Sequence, residues 1–293
     1  MTRAGRSPAF AGVLYALGAF GLWGLSPLYW RQLHHVPASQ ILMHRIVWSA
    51  VFLAFVARAR LGELRRVASS PRVALTLLAT TALIGVNWYL YIRAIEDRRV
   101  LDTSLGYYIN PLVNVALGVV VLGERMRRLQ TAAALLALAG VAWIVRAHGS
   151  LPWLSLTLAT TFSLYALLRK RAAVDALAGL AFETFALTVP CAVGLLWLAS
   201  RGVVPPDART WFLLAGGAGV TALPLLWFVE AARRLDLKTM GFLQFVSPTL
   251  QFLIAVFVFG EALPRERLLS FALIWAGVAV YCADAFRPRS TPA

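Results

Sequence analysis

The sequence predicts an all-α integral membrane protein of ten transmembrane helices, arranged as two inverted five-helix repeats. Three observations carry this. First, 60% of the 293 residues are apolar and 14% charged, with mean hydropathy +0.72, against about 45–50% and about 25% in globular proteins. Second, the apolar residues fall in repeated runs of about 20, the length that crosses about 30 Å of hydrocarbon at about 1.5 Å per residue. Third, residues 111–144 and 248–281 are two copies of one segment, matching at 11 of 34 positions without a gap. Pro111 aligns with Pro248, Gly123-Glu124 with Gly260-Glu261 and Arg128 with Arg265, and Ala139-Gly140-Val141-Ala142 recurs as Ala276-Gly277-Val278-Ala279. Duplication inside a membrane protein is the signature of transporters built from repeats.

The ten spans follow in order, bounded by charges and chain breakers. The first, near 9–30, follows Arg3 and Arg6; it is too long for a signal-peptide core and no small-x-small cleavage site follows, so it is read as a retained helix. Pro37 opens the second, 39–58, and the basic, Ser-rich stretch 59–72 leads into the third, 73–94. The fourth, 103–122, stops at Gly123, and the fifth covers 130–147. Pro152 opens the sixth, 153–168, which precedes the seventh, 176–199. Pro205-Pro206 precede the eighth, 210–231, while the ninth, 240–259, stops at Gly260 and Pro264 before the tenth, 267–285.

Charge sets the orientation. With the N-terminus inside, 18 of the 28 Lys and Arg residues fall on the inner side, 9 on the outer side, and Arg45 inside a span. This bias places both termini in the cytoplasm. It also accounts for the net charge of +15, so nucleic acid is not read as a partner. Five spans then lie in each half, 1–150 and 151–293. Five is odd, so the second half enters the membrane from the opposite side, and a solute site is expected near the midplane between the halves.

Polar residues inside the spans mark candidate sites, because each costs free energy in hydrocarbon without a cavity or a partner. Tyr107, Asn110 and Asn114 share one helical face in the fourth span, and at the 137 offset they become Gln244, Ser247 and Gln251 in the ninth. A proline beside the middle residue of each stripe frees a backbone carbonyl, as where transporter helices bend around solute. Cavity lining and interhelical hydrogen bonding both remain open readings of the stripe. His44 and Arg45 in the second span, and Glu183 in its inverted partner, are the buried charged or titratable positions; a mid-helix charge costs about 2.5–3.5 kcal/mol on insertion scales. Arg45 is read as a solute contact or as snorkelling to headgroups. Glu183 is read as a solute contact, a proton-coupling carboxylate, or the structural partner of Arg45 or of a cytoplasmic-side Arg. Trp30, Trp153 and Trp211 fit interfacial anchors, while Trp23, Trp88, Tyr107 and Tyr108 lie deeper, as cavity wall or as packing.

Other motifs carry no chemistry. Gly217-Ala218-Gly219-Val220-Thr221-Ala222 resembles a dinucleotide fingerprint but lies within a span, without a preceding strand. Walker sequences are absent, and His34, His35, His44 and His148 do not cluster with Cys or carboxylates at metal-ligand spacing. Cys191 and Cys282 read as small apolar residues. No cofactor, metal or catalytic residue is expected, and the protein is not expected to be an enzyme. Gly260-Glu261, like Gly123-Glu124, reads as a helix-ending Gly followed by a Glu paired to the Arg four residues on.

The duplicated Pro…Gly-Glu pattern resembles the EamA family of the drug/metabolite transporter superfamily. Ile41-Leu42-Met43-His44-Arg45, Asn87-Trp88, and the run from Ser104 through Tyr107-Tyr108-Ile109-Asn110-Pro111 to Asn114 resemble its RarD-like subgroup. So do Leu168-Arg169-Lys170 and Phe271-Ala272-Leu273-Ile274-Trp275, and the likeness runs from about residue 10 to 286. Asn87 joins the candidate site residues on this ground. The resemblance implies an inner-membrane permease or exporter for a small metabolite or drug-like solute, working by alternating access, with protons as a candidate coupling ion. A membrane-embedded enzyme or an accessory subunit of a membrane complex is the alternative. Arg93, Glu96 and Glu230, near span ends, are not charges associated with the family.

Overall fold

The structure, a computed structural model, describes residues 8–56, 58, 62, 69–122, 127–148, 151–172, 174–232, 234–235 and 243–286. The described residues form ten α-helices. They are α1 (Pro8–Arg31), α2 (Ala38–Val56), α3 (Pro71–Glu96), α4 (Val100–Leu122), α5 (Arg128–His148), α6 (Trp153–Ala172), α7 (Ala176–Ser200), α8 (Ala208–Ala232), α9 (Val246–Leu253) and α10 (Arg265–Phe286). After α9 the chain continues as a π-helical stretch, Ile254–Val258.

Among the described residues, six stretches are long and apolar enough to cross a membrane: Phe10–Arg31, Ala38–Val56, Pro71–Glu96, Arg128–Ala147, Leu177–Ser200 and Ala208–Phe228. Phe55, Leu75, Leu196, Phe212 and Phe257 are exposed on the outside of the bundle. Large apolar side chains turned outward on this scale fit a hydrocarbon solvent, and the protein is an integral membrane protein.

Helix ends follow local chemistry. Pro71 occupies the first turn of α3, where its missing N–H has no role to lose. Asp175 caps α7 by accepting from the Leu177 and Ala178 amides at 3.1 Å each, and Asp207 caps α8 by accepting from the Thr210 amide at 2.7 Å. Gly260 takes φ +64°, the left-handed conformation that ends the π-helical stretch.

Some expected boundaries move. The sixth helix runs on to Ala172, carrying Arg169 within it rather than in a loop. Of the expected ninth span, residues 240–242 lie outside the described residues, and the regular helix starts at Val246. Pro248 is therefore in the first turn of α9 and does not bend it. The Gln244 carbonyl accepts from the Ser247 amide at 3.3 Å instead.

The first five helices pack against the last five through a limited set of pairs. α4 packs on α6 and α9 on α1; α1 packs on α8 and α3 on α6; α2 packs on α8 and α3 on α7. α2 also packs on α7, α4 on α9 and, more lightly, on α10, and α5 on α10. Small residues set the closest approaches. A side chain on Gly106 of α4 would stand 2.8 Å from the Ser155 carbonyl of α6, and one on Gly24 of α1 would stand 3.1 Å from the Ser247 carbonyl of α9.

Candidate functional site

Two buried charged clusters lie in the interior, joined by aromatic rings. The first is built on Arg45. Seven residues into α2, it sits roughly 10 Å below the start of that helix at about 1.5 Å per residue, and it is 7% exposed. Its Nε donates to Thr221 Oγ1 of α8 at 2.7 Å, and Thr221 in turn donates to the Gly217 carbonyl. The guanidinium lies 4.3 Å from the centre of the Trp88 ring and 5.4 Å from that of Trp30, within cation–π range of both. Tyr91 and Tyr107, 5.9 Å apart, stand close enough to act on its charge.

Hydrogen bonds hold this wall in place. Tyr91 shares a 2.8 Å hydrogen bond with Ser26, and Tyr107 donates to Asn87 Oδ1 at 3.5 Å. Asn87, fully buried, donates from Nδ2 to the Leu158 carbonyl at 3.0 Å and to Thr161 Oγ1 at 2.9 Å. Helices α1, α2, α3, α4, α6 and α8 thus all contribute to one buried polar and aromatic cluster.

The second cluster surrounds Glu183 of α7, which is 2% exposed. Thr80 of α3 donates to its Oε1 at 2.6 Å, and Tyr165 of α6 donates to its Oε2 at 3.2 Å. Arg169 of α6 forms an ion pair with it, Nε to Oε1, at 3.5 Å. Gly179, one turn before Glu183, lies directly under the Arg169 guanidinium, so any larger residue would collide with it. Arg45 and Glu183 do not pair; of the two partners the sequence left open, the carboxylate takes an Arg near the far end of α6. Rings span the gap between the clusters: Tyr107 to Phe162 at 6.3 Å, then Phe162 to Tyr165 at 6.0 Å.

The remaining candidates fall elsewhere. His44 is buried edge-on against Trp211 at 5.3 Å. Asn110, fully buried, donates to the Ala159 carbonyl and to Ser163 Oγ, both at 3.2 Å, tying α4 to α6. Gln251 accepts from Thr103 at 3.0 Å and donates to Ser247, tying α9 to α4. Gln244 is half-buried in the turn before α9. The side chain of Asn114 lies outside the described residues. Trp30, expected at the interface, is instead 3% exposed and faces Arg45.

Sequence reasoning missed Thr221, Tyr91, Thr80 and Tyr165. Their one signal is a hydroxyl at a span position, which alone does not separate a site from a backbone hydrogen bond. Glu261 departs from its expected role. It does not pair with Arg265; its two oxygens accept from the Val100 and Leu101 amides at 2.7 and 2.9 Å, capping α4 from across the sequence. Its counterpart Glu124 lies outside the described residues.

At the α1–α2 connection a cavity of about 410 Å³ opens among Leu28, Arg31, Gln32, His34, His35, Asp207, Arg209, Thr210, Leu213 and Phe259. Among the described residues, no cluster of three or more His, Cys, Asp or Glu side chains could hold a metal ion.

An apolar helical bundle that buries charged, polar and aromatic side chains in its interior is the build of a membrane transport protein. The EamA-like transporter family matches residues 10–146. A protein of Vibrio cholerae described as "Uncharacterized transporter" is 43% identical over 94% of this chain and 93% of its own length. Protein RarD of Escherichia coli is 40% identical over 94% of each chain. A solved crystal structure superposes with TM-score 0.61 at 22% identity, covering 94% of this chain and 99% of that chain, which shows a common fold. The chain belongs to the EamA-like transporter family, with the RarD proteins as relatives.

Proposed function

We propose that this protein is a secondary transporter that moves a small solute across the bacterial inner membrane by alternating access. Its halves, 1–150 and 151–293, act as two inverted five-helix units, with all ten helices spanning and both termini in the cytoplasm. The observation that carries the reading is the pattern of helix pairs. Exchange each helix of the first five for its counterpart five places later, and every contact named between the halves, the light α4–α10 contact excepted, maps onto another or onto itself. The α4–α6 contact becomes α9–α1, α1–α8 becomes α6–α3, and α2–α8 becomes α7–α3, while α2–α7, α4–α9 and α5–α10 map onto themselves. A two-fold relation between halves supports a chamber that faces one side and then the other as the halves rock.

Arg45, Trp88, Tyr107 and Asn87 line the chamber in this reading, with Glu183 as the proton-coupling carboxylate. Asn110, His44 and Gln251 support the helices that carry these residues. Solute flux in proteoliposomes tests the function. Saturable uptake or exchange is expected, abolished by Trp88→Ala and Arg45→Gln in folded protein. Absence of flux from every solute that raises the melting temperature would overturn it. For orientation, a cysteine at Asp207 should react with an impermeant reagent in intact cells, and one at Arg72 should not.

A further inference from the structure

We infer that the solute taken at Arg45 is an organic monoanion, a carboxylate on a planar apolar body, gripped by the terminal nitrogens of this guanidinium. The inference rests on the transporter reading and names the class of solute its chamber accepts.

Among the described residues no carboxylate pairs with Arg45. The buried acids are engaged elsewhere: Glu183 with Arg169, Asp102 with Arg99 and Arg267, and Asp284 with Arg127. A cation buried without a counter-ion is costly, and an anionic ligand removes that cost. A purely structural Arg would be expected to carry its own acid.

The guanidinium geometry narrows the class. Its Nε is occupied by Thr221, leaving the terminal pair, whose fork matches the two oxygens of a carboxylate. The rings of Trp88 and Trp30 lie against this group and offer flat apolar walls for the rest of the molecule. A zwitterion would need a second, negative partner for its ammonium. The chamber walls offer hydroxyls, an amide and rings for that purpose, and Glu183 is already paired with Arg169. Net negative charge therefore fits better than a zwitterion. The cavity at the α1–α2 connection carries Arg31 and Arg209 against the single acid Asp207, a field that concentrates anions at one end of the bundle.

The test uses the purified full chain and four probes: 3-phenylpropionate, its neutral amide, phenylalanine and inorganic phosphate. Binding is read as quenching of indole fluorescence and as a rise in melting temperature. We expect 3-phenylpropionate to bind about 10-fold or more tightly than the amide or phenylalanine, since a buried charge left unpaired penalises the wrong ligand. Arg45→Lys keeps the charge but loses the fork, and should weaken 3-phenylpropionate about 10-fold. If that variant does not fold, Thr221→Val, which leaves Arg45 in place, should weaken the same probe about 3-fold or more with no effect on the amide. Equal binding of acid and amide, preference for phosphate, or no saturable signal from any probe would each overturn the inference. Flux of a neutral or cationic solute that Arg45→Lys leaves intact overturns it too, while sparing the transporter reading. Arg45-dependent binding without any flux would do the reverse.

Discussion

Gly140 of α5 and Gly277 of α10 make reciprocal contacts. A side chain on Gly140 would stand 3.0 Å from the Ser270 carbonyl, and one on Gly277 would stand 2.8 Å from the Ala133 carbonyl. Ala133 and Ser270 are themselves equivalent at the 137 offset of the repeat. One patch thus meets its own copy, as in a self-complementary dimer interface. Ser270 strengthens it by donating to the Gly140 carbonyl at 3.0 Å.

The close approach makes the first prediction. Gly277→Ala should lower unfolding free energy by about 1–3 kcal/mol, because a backbone carbonyl cannot swing away as a flexible side chain can. Gly219→Ala, where the added carbon meets nothing within 4 Å, should be neutral or stabilising by up to about 1 kcal/mol. Denaturant unfolding in detergent measures both. Equal effects at the two positions would show that the α5–α10 contact is looser than described.

The Glu183 cluster makes the second. Glu183→Gln leaves Arg169 buried beside a neutral group, a change that costs about 3–5 kcal/mol where a buried pair is broken. Adding Arg169→Gln should recover much of that loss, the sign of direct coupling. Gly179→Ala asks only the far end of the flexible Arg169 side chain to shift, and should cost less than the single change. If Glu183→Gln is instead as stable as the parent and its flux loses all pH dependence, proton coupling is the dominant role of this carboxylate.

The sequence made the helices legible because apolar runs and breakers are local signals. Arg45 and Glu183 were legible because a charge inside an apolar run is expensive wherever it points. Their partners were hidden. Arg169 sits in a basic triplet that reads as a loop, and only the extension of α6 to Ala172 lets it reach Glu183. Trp30 sits at a span end, where position alone suggests the interface, yet α8 covers it: a side chain on Gly217 would stand 3.0 Å from its ring. Glu261 bonds amides 160 and 161 residues away, beyond any i, i+4 reading.

Glu261 lies in the connection before α10 and gives a pH prediction. Burial pushes its carboxyl above the ordinary value of 4.5, and the hydrogen bonds from the Leu101 and Val100 amides only partly pull it back. A raised value in the folded chain means the folded chain holds the proton more tightly than the unfolded one. Its contribution is therefore complete below pH 4.5 and is lost as pH rises through the raised value. Stability of the parent should fall across that window, and Glu261→Gln should flatten the fall. Parallel pH profiles for the two proteins would remove Glu261 as the source.

Asn110 and Trp88 make the last prediction, because the structure gives them different work. Asn110 is fully buried, with both amide hydrogens directed to α6, at the Ala159 carbonyl and at Ser163. Trp88 is half-buried, its ring lies 4.3 Å from the Arg45 guanidinium, and it sits next in sequence to Asn87 of the chamber wall. Asn110→Ala should therefore cost stability, about 0.6–1.7 kcal/mol as for other interhelical hydrogen bonds in membranes, and leave flux per folded molecule within about twofold. Gln251→Ala should behave alike, since Thr103 and Ser247 are its partners. Trp88→Ala should do the opposite, with little change in melting temperature and at least about a 10-fold loss of flux, as when a stacked aromatic and its cation–π contact are removed from a site. Unfolding and flux measured on the same purified samples separate the two outcomes. Loss of flux in folded Asn110→Ala would move that residue from the α4–α6 seam into the chamber wall.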